Sequence, residues 1–189
     1  MKKTVLMMIA AASMMHAACT VEPDGALSVG WEAYKTPVKA GVAGSFGSVT
    51  LSGAKGADTV KGVLEGSSVT IKSSSVDSKN PGRDAKLAKF FFGMMAGDTI
   101  VGTVTAIEGD EAQGVATVAV TMNGVTKKVP MRYSATKEEV TAQGYIDLAD
   151  FSALPALKSI NKACYELHQG KTWQDVAIRF SLPLKTLCP

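Results

Sequence analysis

Apolar and polar residues alternate along most of this chain, and the alternation is clearest on either side of Asn123-Gly124. Before the pair, Ala116, Val118, Val120 and Met122 share one face. After it, Val125, Val129, Met131 and Tyr133 share the matching face, while Thr126, Lys128 and Arg132 point away. Asn-Gly predicts a two-residue type I′ turn, because both central residues then need φ > 0. That turn sets the register: Met122 opposite Val125, Val118 opposite Val129, Ala116 opposite Met131. Lys127 falls on the apolar face, but beside the turn, where it reaches water. An antiparallel pair with one dry side and one wet side follows.

The same signature recurs. Val- and Thr-rich runs punctuated by Gly predict eight strands near Val29–Lys35, Val38–Leu51, Val60–Lys72, Thr99–Glu108, Val115–Met122, Val125–Ser134, Glu139–Leu148 and Thr172–Leu182. Two segments switch to helical spacing. Pro81 to Phe92 places Leu87, Phe90 and Phe91 on one stripe, with Asn80 as N-cap and Pro81 in the first helical position. Ser152 to His168 aligns Leu154, Leu157, Ile160, Cys164 and Leu167, with Gly170 as a stop. The fold class is therefore all-β: an eight-stranded antiparallel lipocalin-like barrel with two short helices, closed so that no long edge is exposed.

Parity carried from strand to strand gives an inner face. Val38, Ala40, Val42, Gly44 and Phe46 belong to it, as do Ile100, Gly102, Val104 and Ala106. So do Val140, Ala142, Gly144, Ile146 and Leu148, and then Val176, Ile178, Phe180 and Leu182. Parity changes after Phe46, which predicts a bulge at Gly47-Ser48. Many inner residues are very small, and a barrel filled by its own side chains needs bulk. An apolar, lipid-sized cavity follows from that shortage; the bland alternative is that small and large residues alternate to fit the taper of a packed barrel. Trp31, Tyr34 and Trp173 would gate the cavity or simply fill the barrel. Met94 and Met95 would give a flexible lid beside the first helix.

Composition adds the compartment. Lys2 and Lys3, the apolar run Val5 to Ala12, and Ala17-Ala18 before Cys19 read as an export signal over residues 1–18. A short tether follows over 19–28, and the barrel occupies 29–189. Ala17-Ala18-Cys19 is similar to a bacterial lipobox, with His16 where Leu is usual. Cys19 is expected to carry lipid, leaving Cys164 and Cys188 to form a disulfide; cleavage without lipidation would instead leave a free thiol at Cys19. Loss of Lys2 and Lys3 takes the 20 basic residues to 18 against 17 acidic, and the formal charge from +3 to +1. With no basic run or basic-aromatic stripe, nucleic acid is not an expected partner.

Catalytic signatures are sparse. Cys164 and His168 lie four residues apart on one helix face, but no second pair completes a zinc set. His168 sits instead where a helix dipole favours it. Arg83-Asp84, beside a Leu-Phe-Phe-Phe cluster, is either a structural ion pair or a contact for a polar head at the barrel mouth. The acid pairs Asp110-Glu111 and Glu138-Glu139 fall in turn-like sequence and are expected to be solvated. There is no GxSxG elbow and no phosphate-cradling glycine loop. An enzyme acting on a lipid would have to use Asp84 or His168.

Several stretches together resemble the YceI-like family of bacterial periplasmic proteins. They are Gly41-Val42 through Phe46, the Ser73–Phe92 segment with Arg83-Asp84 and Leu87, Val120–Tyr133, and Gly144–Phe151. The resemblance implies a lipocalin-like barrel that binds polyisoprenoids, quinone-like tails or fatty-acid amides in a long tunnel, with no cofactor and no enzymatic activity. Wall residues expected to meet such a ligand are Trp31, Val42, Phe46, Ile100, Val104, Ala116 and Val118. Met131, Tyr133, Ile146 and Ile178 continue that wall, and Arg83, Leu87 and Phe91 come from the first helix. Family members commonly open with a histidine-containing strand; this chain has Trp31-Glu32-Ala33-Tyr34-Lys35 there. Expected partners are a long-chain isoprenoid or acyl lipid, the membrane through a lipid on Cys19, and a second copy of the chain. A packed, ligand-free interaction module is the competing reading.

Overall fold

The structure is a computed structural model that describes residues 19–188. The expected signal, 1–18, lies outside them. In chain order the strands are β1 (Thr20–Pro23), β2 (Ser28–Lys35), β3 (Ala40–Phe46), β4 (Val49–Ser52), β5 (Ser68–Lys72), β6 (Val76–Asp77), β7 (Thr99–Gly109), β8 (Gln113–Met122), β9 (Val125–Ala135), β10 (Glu139–Asp147) and β11 (Thr172–Leu187). Four α-helices interrupt them, α1 (Val60–Leu64), α2 (Pro81–Phe90), α3 (Leu154–Ala163) and α4 (Tyr165–His168), with short 3-10 turns at Ser73–Ser75 and Phe92–Met94. The neighbours run β4-β5-β7-β8-β9-β10-β11-β2-β3-β6 in one curled antiparallel sheet, with β1 added beside the end of β11. Among the described residues there are thus more strands than the eight expected, and four α-helices where two were expected.

The hairpin forms as its sequence predicts. Met122 faces Val125, Val118 faces Val129, and Ala116 faces Met131. Asn123 and Gly124 adopt φ of 53° and 73°, the pair of positive values a type I′ turn needs. The Asn123 side chain also ties the turn to its surroundings. Its Oδ1 accepts from Ala96 N at 2.7 Å and its Nδ2 donates to Phe151 O at 2.9 Å. Asn123→Ala is expected to cost about 1–3 kcal/mol, by losing these bonds and a residue that tolerates φ > 0. Chemical denaturation of the two proteins checks this.

Curling is completed where β3 becomes β4. The chain leaves one side of the sheet at Gly47-Ser48, the expected irregularity, and joins the other. Gly47 N donates to Ser75 O at 2.8 Å and Lys72 N donates to Ser48 O at 3.0 Å, which draws the two sheet edges together. The expected Val38–Leu51 strand is therefore two strands. Val38 is not inward at all: it is exposed in the turn before β3.

Three further expectations change. Val60–Lys72 is not one strand, because Thr59 caps a helical turn by accepting from Gly62 N at 3.0 Å, and Glu111 Oε2 accepts from Val60 N at 2.7 Å. Val60 and Val63 then bury from α1, and only Ser68–Lys72 is strand. On β7 the register slips between Val104 and Ala106, so Ala106 turns outward and Ile107 packs inward. The second expected helix breaks at Cys164 into α3 and α4, and the break rotates its stripe. Leu157, Ile160 and Cys164 stay inside while Leu154 and Leu167 are exposed.

The disulfide joins Cys19 to Cys188, not Cys164 to Cys188. The cause is the first strand. Residues 19–28 are not a free tether, since Thr20 pairs with Leu187 and Pro23 with Leu184, which sets Cys19 against Cys188. A sulfur in a disulfide cannot also carry a thioether lipid, so this bond and the expected lipidation of Cys19 exclude each other. The odd cysteine is Cys164, free and buried. Intact protein unfolded without reductant is therefore expected to take up one alkyl group at Cys164, and native protein to take up none on the same timescale. Mass spectrometry of the alkylated peptides reads both.

Candidate functional site

The inner face encloses two adjoining apolar cavities. The larger measures about 180 Å³ and lies under α2 and α3, against β2, β3 and β11. It exceeds by more than tenfold the roughly 10–15 Å³ that one water needs. The smaller, about 80 Å³, lies between β7, β8, β9 and β10, with Leu51, Leu64 and Leu182 also on its wall. Val69, Gly102 and Phe180 line both, and so form the partition between them. A Cβ on Gly102 would sit 3.2 Å from Val69 Cγ1 and 3.3 Å from Val118 Cγ1, so glycine keeps this neck from closing further.

The expected wall residues divide between the two cavities. Trp31, Val42, Phe46, Arg83, Leu87, Phe91, Ile100, Ile146 and Ile178 line the larger. Val104, Ala116, Val118, Met131 and Tyr133 line the smaller. Not every small inner residue makes room. A Cβ on Gly44 would meet the Trp31 ring at 2.5 Å, so this glycine seats the tryptophan that faces it across β2 and β3. Gly144 likewise admits the backbone of Pro130 and the side chain of Met131. Trp31 walls the larger cavity, with its Nε1 donating to Ser45 O at 3.4 Å.

The roof of the larger cavity is an aromatic step. Phe91 and Phe92 meet edge to face at 5.0 Å, and Phe92 meets Phe46 of β3 at 5.9 Å. Leu157 and Ile160 of α3 complete it. Met95 packs beside this roof, while Met94 is exposed and does not. Tyr34 and Trp173 both line the cavity, and Trp173 is fixed by an Nε1 bond to Thr36 O at 2.9 Å.

Arg83 and Asp84 do not form a direct ion pair. Ser78 stands between them: Arg83 Nε donates to Ser78 Oγ at 2.7 Å and Nη2 to Ser78 O at 2.9 Å. Asp84 Oδ1 accepts from Ser78 N at 2.9 Å and from its hydroxyl. The carboxylate thus orders the loop before α2 while Arg83 reaches the cavity. Of the other acids, Asp110 organises a turn and Glu139 bridges to the neighbouring strand. Asp110 accepts from Ala112 N and Gln113 N, which hold its carboxyl below the usual range, and Glu139 accepts from Ser181 Oγ.

Cys164 and His168 both line the larger cavity, and the Nδ1 side of the His168 ring is engaged by Thr172. Asn161 Nδ2 donates to Gly170 O, so its Oδ1 faces Thr172 and accepts that hydroxyl at 2.8 Å. The Thr172 oxygen is left as acceptor, and His168 Nδ1 therefore carries the hydrogen of their 2.8 Å bond. Burial, with Lys35 and Lys86 nearby, pushes the His168 pKa below its usual 6.5. The favourable helix-end position expected for this histidine is outweighed. Since the unfolded chain binds that proton more readily, stability is expected to be full above about pH 6.5 and to fall as pH drops through the depressed value. His168→Gln flattens that part of a pH–denaturation curve. Among the described residues no group of three or more His, Cys, Asp or Glu side chains could hold a metal ion. No helix among them is long and apolar enough to cross a membrane.

A curled antiparallel sheet around an apolar hollow, with helices over its mouth, defines the lipocalin-like class of barrel. Residues 21–184 match the model of the YceI-like domain, and the chain belongs to that family. No curated protein matches its sequence. Among solved structures, a polyisoprenoid-binding domain from Saccharophagus degradans, implicated in plant cell wall breakdown, aligns with TM-score 0.62 at 13% identity. The alignment covers 92% of this chain and 100% of that one. BcnA from Burkholderia cenocepacia aligns at 0.55 with 18% identity, over 83% and 95% of the two chains. The Campylobacter jejuni YceI protein gives 0.55 at 19% identity, over 78% and 86%. At these identities the likeness establishes the fold.

The sequence missed a second group of lining residues: Lys35, Lys86, Cys164, His168 and Thr172. Lys35 ends β2, opposite Thr172 of β11. Lys86 lies one turn beyond Arg83 on α2. The available signal was the Arg83-x-x-Lys86-Leu87 spacing, which puts both cations on one helix face.

Proposed function

We propose that this protein binds a long apolar lipid (a polyisoprenoid, quinone-like or fatty-acid amide chain) within its two adjoining cavities, as a carrier or sequestering protein of the periplasm. The observation that carries the reading is the apolar wall, which runs from the aromatic roof past Phe180 to Tyr133. Each methylene moved from water into such a wall contributes about 0.8 kcal/mol, so a long chain binds without any reactive group. The fourteen wall residues expected from the sequence are the proposed contacts. The S. degradans structure is of a polyisoprenoid-binding domain, which supports the ligand class. An export signal at 1–18 and a disulfide support an oxidising compartment.

Thermal unfolding of solvent-stripped protein tests this. Geranylgeraniol at a hundred times its dissociation constant is expected to add about 2.7 kcal/mol. For a domain of this size that is a rise of roughly 5–10 °C. A melting temperature unmoved by isoprenoids, quinones and fatty amides alike would leave the packed interaction module as the reading.

A further inference from the structure

The larger cavity is apolar along its walls but not at its rim. The ionisable side chains that line it include Lys35 from β2, Arg83 and Lys86 from α2, and His168 from α4. Among the described residues no carboxylate lines it. Four basic groups elsewhere are paired, Lys39 with Asp175, Lys79 with Asp77, Arg179 with Glu32, and Lys185 with Glu22 and Asp24. Lys35, Arg83 and Lys86 have no carboxylate within 4 Å among the described residues. Asp84, next to Arg83 in the chain, is bonded to Ser78, and Glu32, near Lys35 in the chain, is paired with Arg179.

Like charges gathered at the edge of an apolar hollow repel, and low polarity around them strengthens the repulsion. A neutral amide or alcohol head would leave these cations uncompensated. An anion would meet two point charges and one planar guanidinium, which suits carboxylate or phosphate oxygens. We propose that the bound lipid has an anionic head, a carboxylate or a phosphate, held at the rim by Lys35 and Lys86 together with Arg83 and His168. This narrows the lipid-carrier reading and rests on it.

Matched ligands test it on the purified full chain, with calorimetry on two pairs: palmitate against palmitamide, and geranylgeranyl phosphate against geranylgeraniol. The anionic member of at least one pair is expected to bind about tenfold or more tightly, the size of one charge-assisted hydrogen bond. Whichever pair shows the gap identifies carboxylate or phosphate. The gap shrinks as salt is raised, and it collapses toward unity in the Lys35→Gln/Lys86→Gln double variant. If circular dichroism shows that this variant is unfolded, Lys86→Gln alone is read instead, and the gap is expected to narrow. The anionic member, unlike the neutral one, also raises the pH midpoint of the His168 ring resonances. Equal affinity within both pairs, or a gap that survives the lysine substitutions, overturns the anionic head while leaving lipid binding intact. If the neutral members fail to bind as well, the lipid-carrier reading falls with it.

Discussion

Replacing Cys188 with serine is expected to lower stability by about 2–5 kcal/mol, a drop in melting temperature on the order of 10 °C. The Cys19–Cys188 bond spans 169 residues, and in the chain-entropy model a loop of that length restrains the unfolded state strongly. It also fastens β1, which otherwise depends on a short pairing with β11, on Val21 and Ala57 exchanging backbone bonds of 2.7 and 2.9 Å, and on Lys185 between Glu22 and Asp24. Scanning calorimetry with and without reductant reads the same effect in the unaltered protein. An unchanged melting temperature in reductant, or a diacylglyceryl mass on the peptide containing Cys19, would return that cysteine to the role of lipid anchor.

Filling the larger cavity has the second large effect, and it separates folding from binding. Ile146 and Ile178 stand on neighbouring strands, each facing the hollow. Ile146→Phe with Ile178→Phe is expected to displace about two methylenes of ligand. At about 0.8 kcal/mol each the loss is about 1.6 kcal/mol, or somewhat over tenfold in affinity. The empty protein is expected to hold or gain stability, because the added rings occupy space that now offers few contacts. Paired melting curves with and without geranylgeraniol check both halves. A double variant that melts low and still responds fully to lipid would mean that ligand binds elsewhere.

What the sequence made legible is what local chemistry decides. Asn123-Gly124 set the β8–β9 register, Asn80-Pro81 set the start of α2, and unbroken alternation placed Ile146 and Ile178 on the inner face. What it hid depends on distant partners. Val60 and Val63 are β-branched and read as strand; the Thr59 cap and the Glu111 carboxylate, far along the chain, make them helical. Ala106 reads as inward until a bulge opposite β8 turns it out. The disulfide needed β1 to lie on β11, a pairing that four residues, Thr20–Pro23, do not announce.

The site divides the same way. Parity found the apolar wall, since every other residue of a strand faces one side. It could not find the cationic rim, because Lys35, Lys86 and His168 come from three elements and only the fold brings them to one opening. Nor could it separate small residues that open space from those that seat a neighbour. Gly102 keeps the neck between the cavities open, whereas Gly44 is filled by Trp31.

The central claim is that the hollow holds a lipid. Native mass spectrometry of the protein purified from cells, without detergent or added ligand, tests it most directly. The account predicts a bound mass that dissociates on activation and proves on extraction to be a long-chain lipid. It also predicts that this mass is less abundant in the Ile146→Phe/Ile178→Phe protein. Wild-type protein that is free of lipid in every preparation, and takes up none when offered isoprenoids or acyl chains, would contradict it.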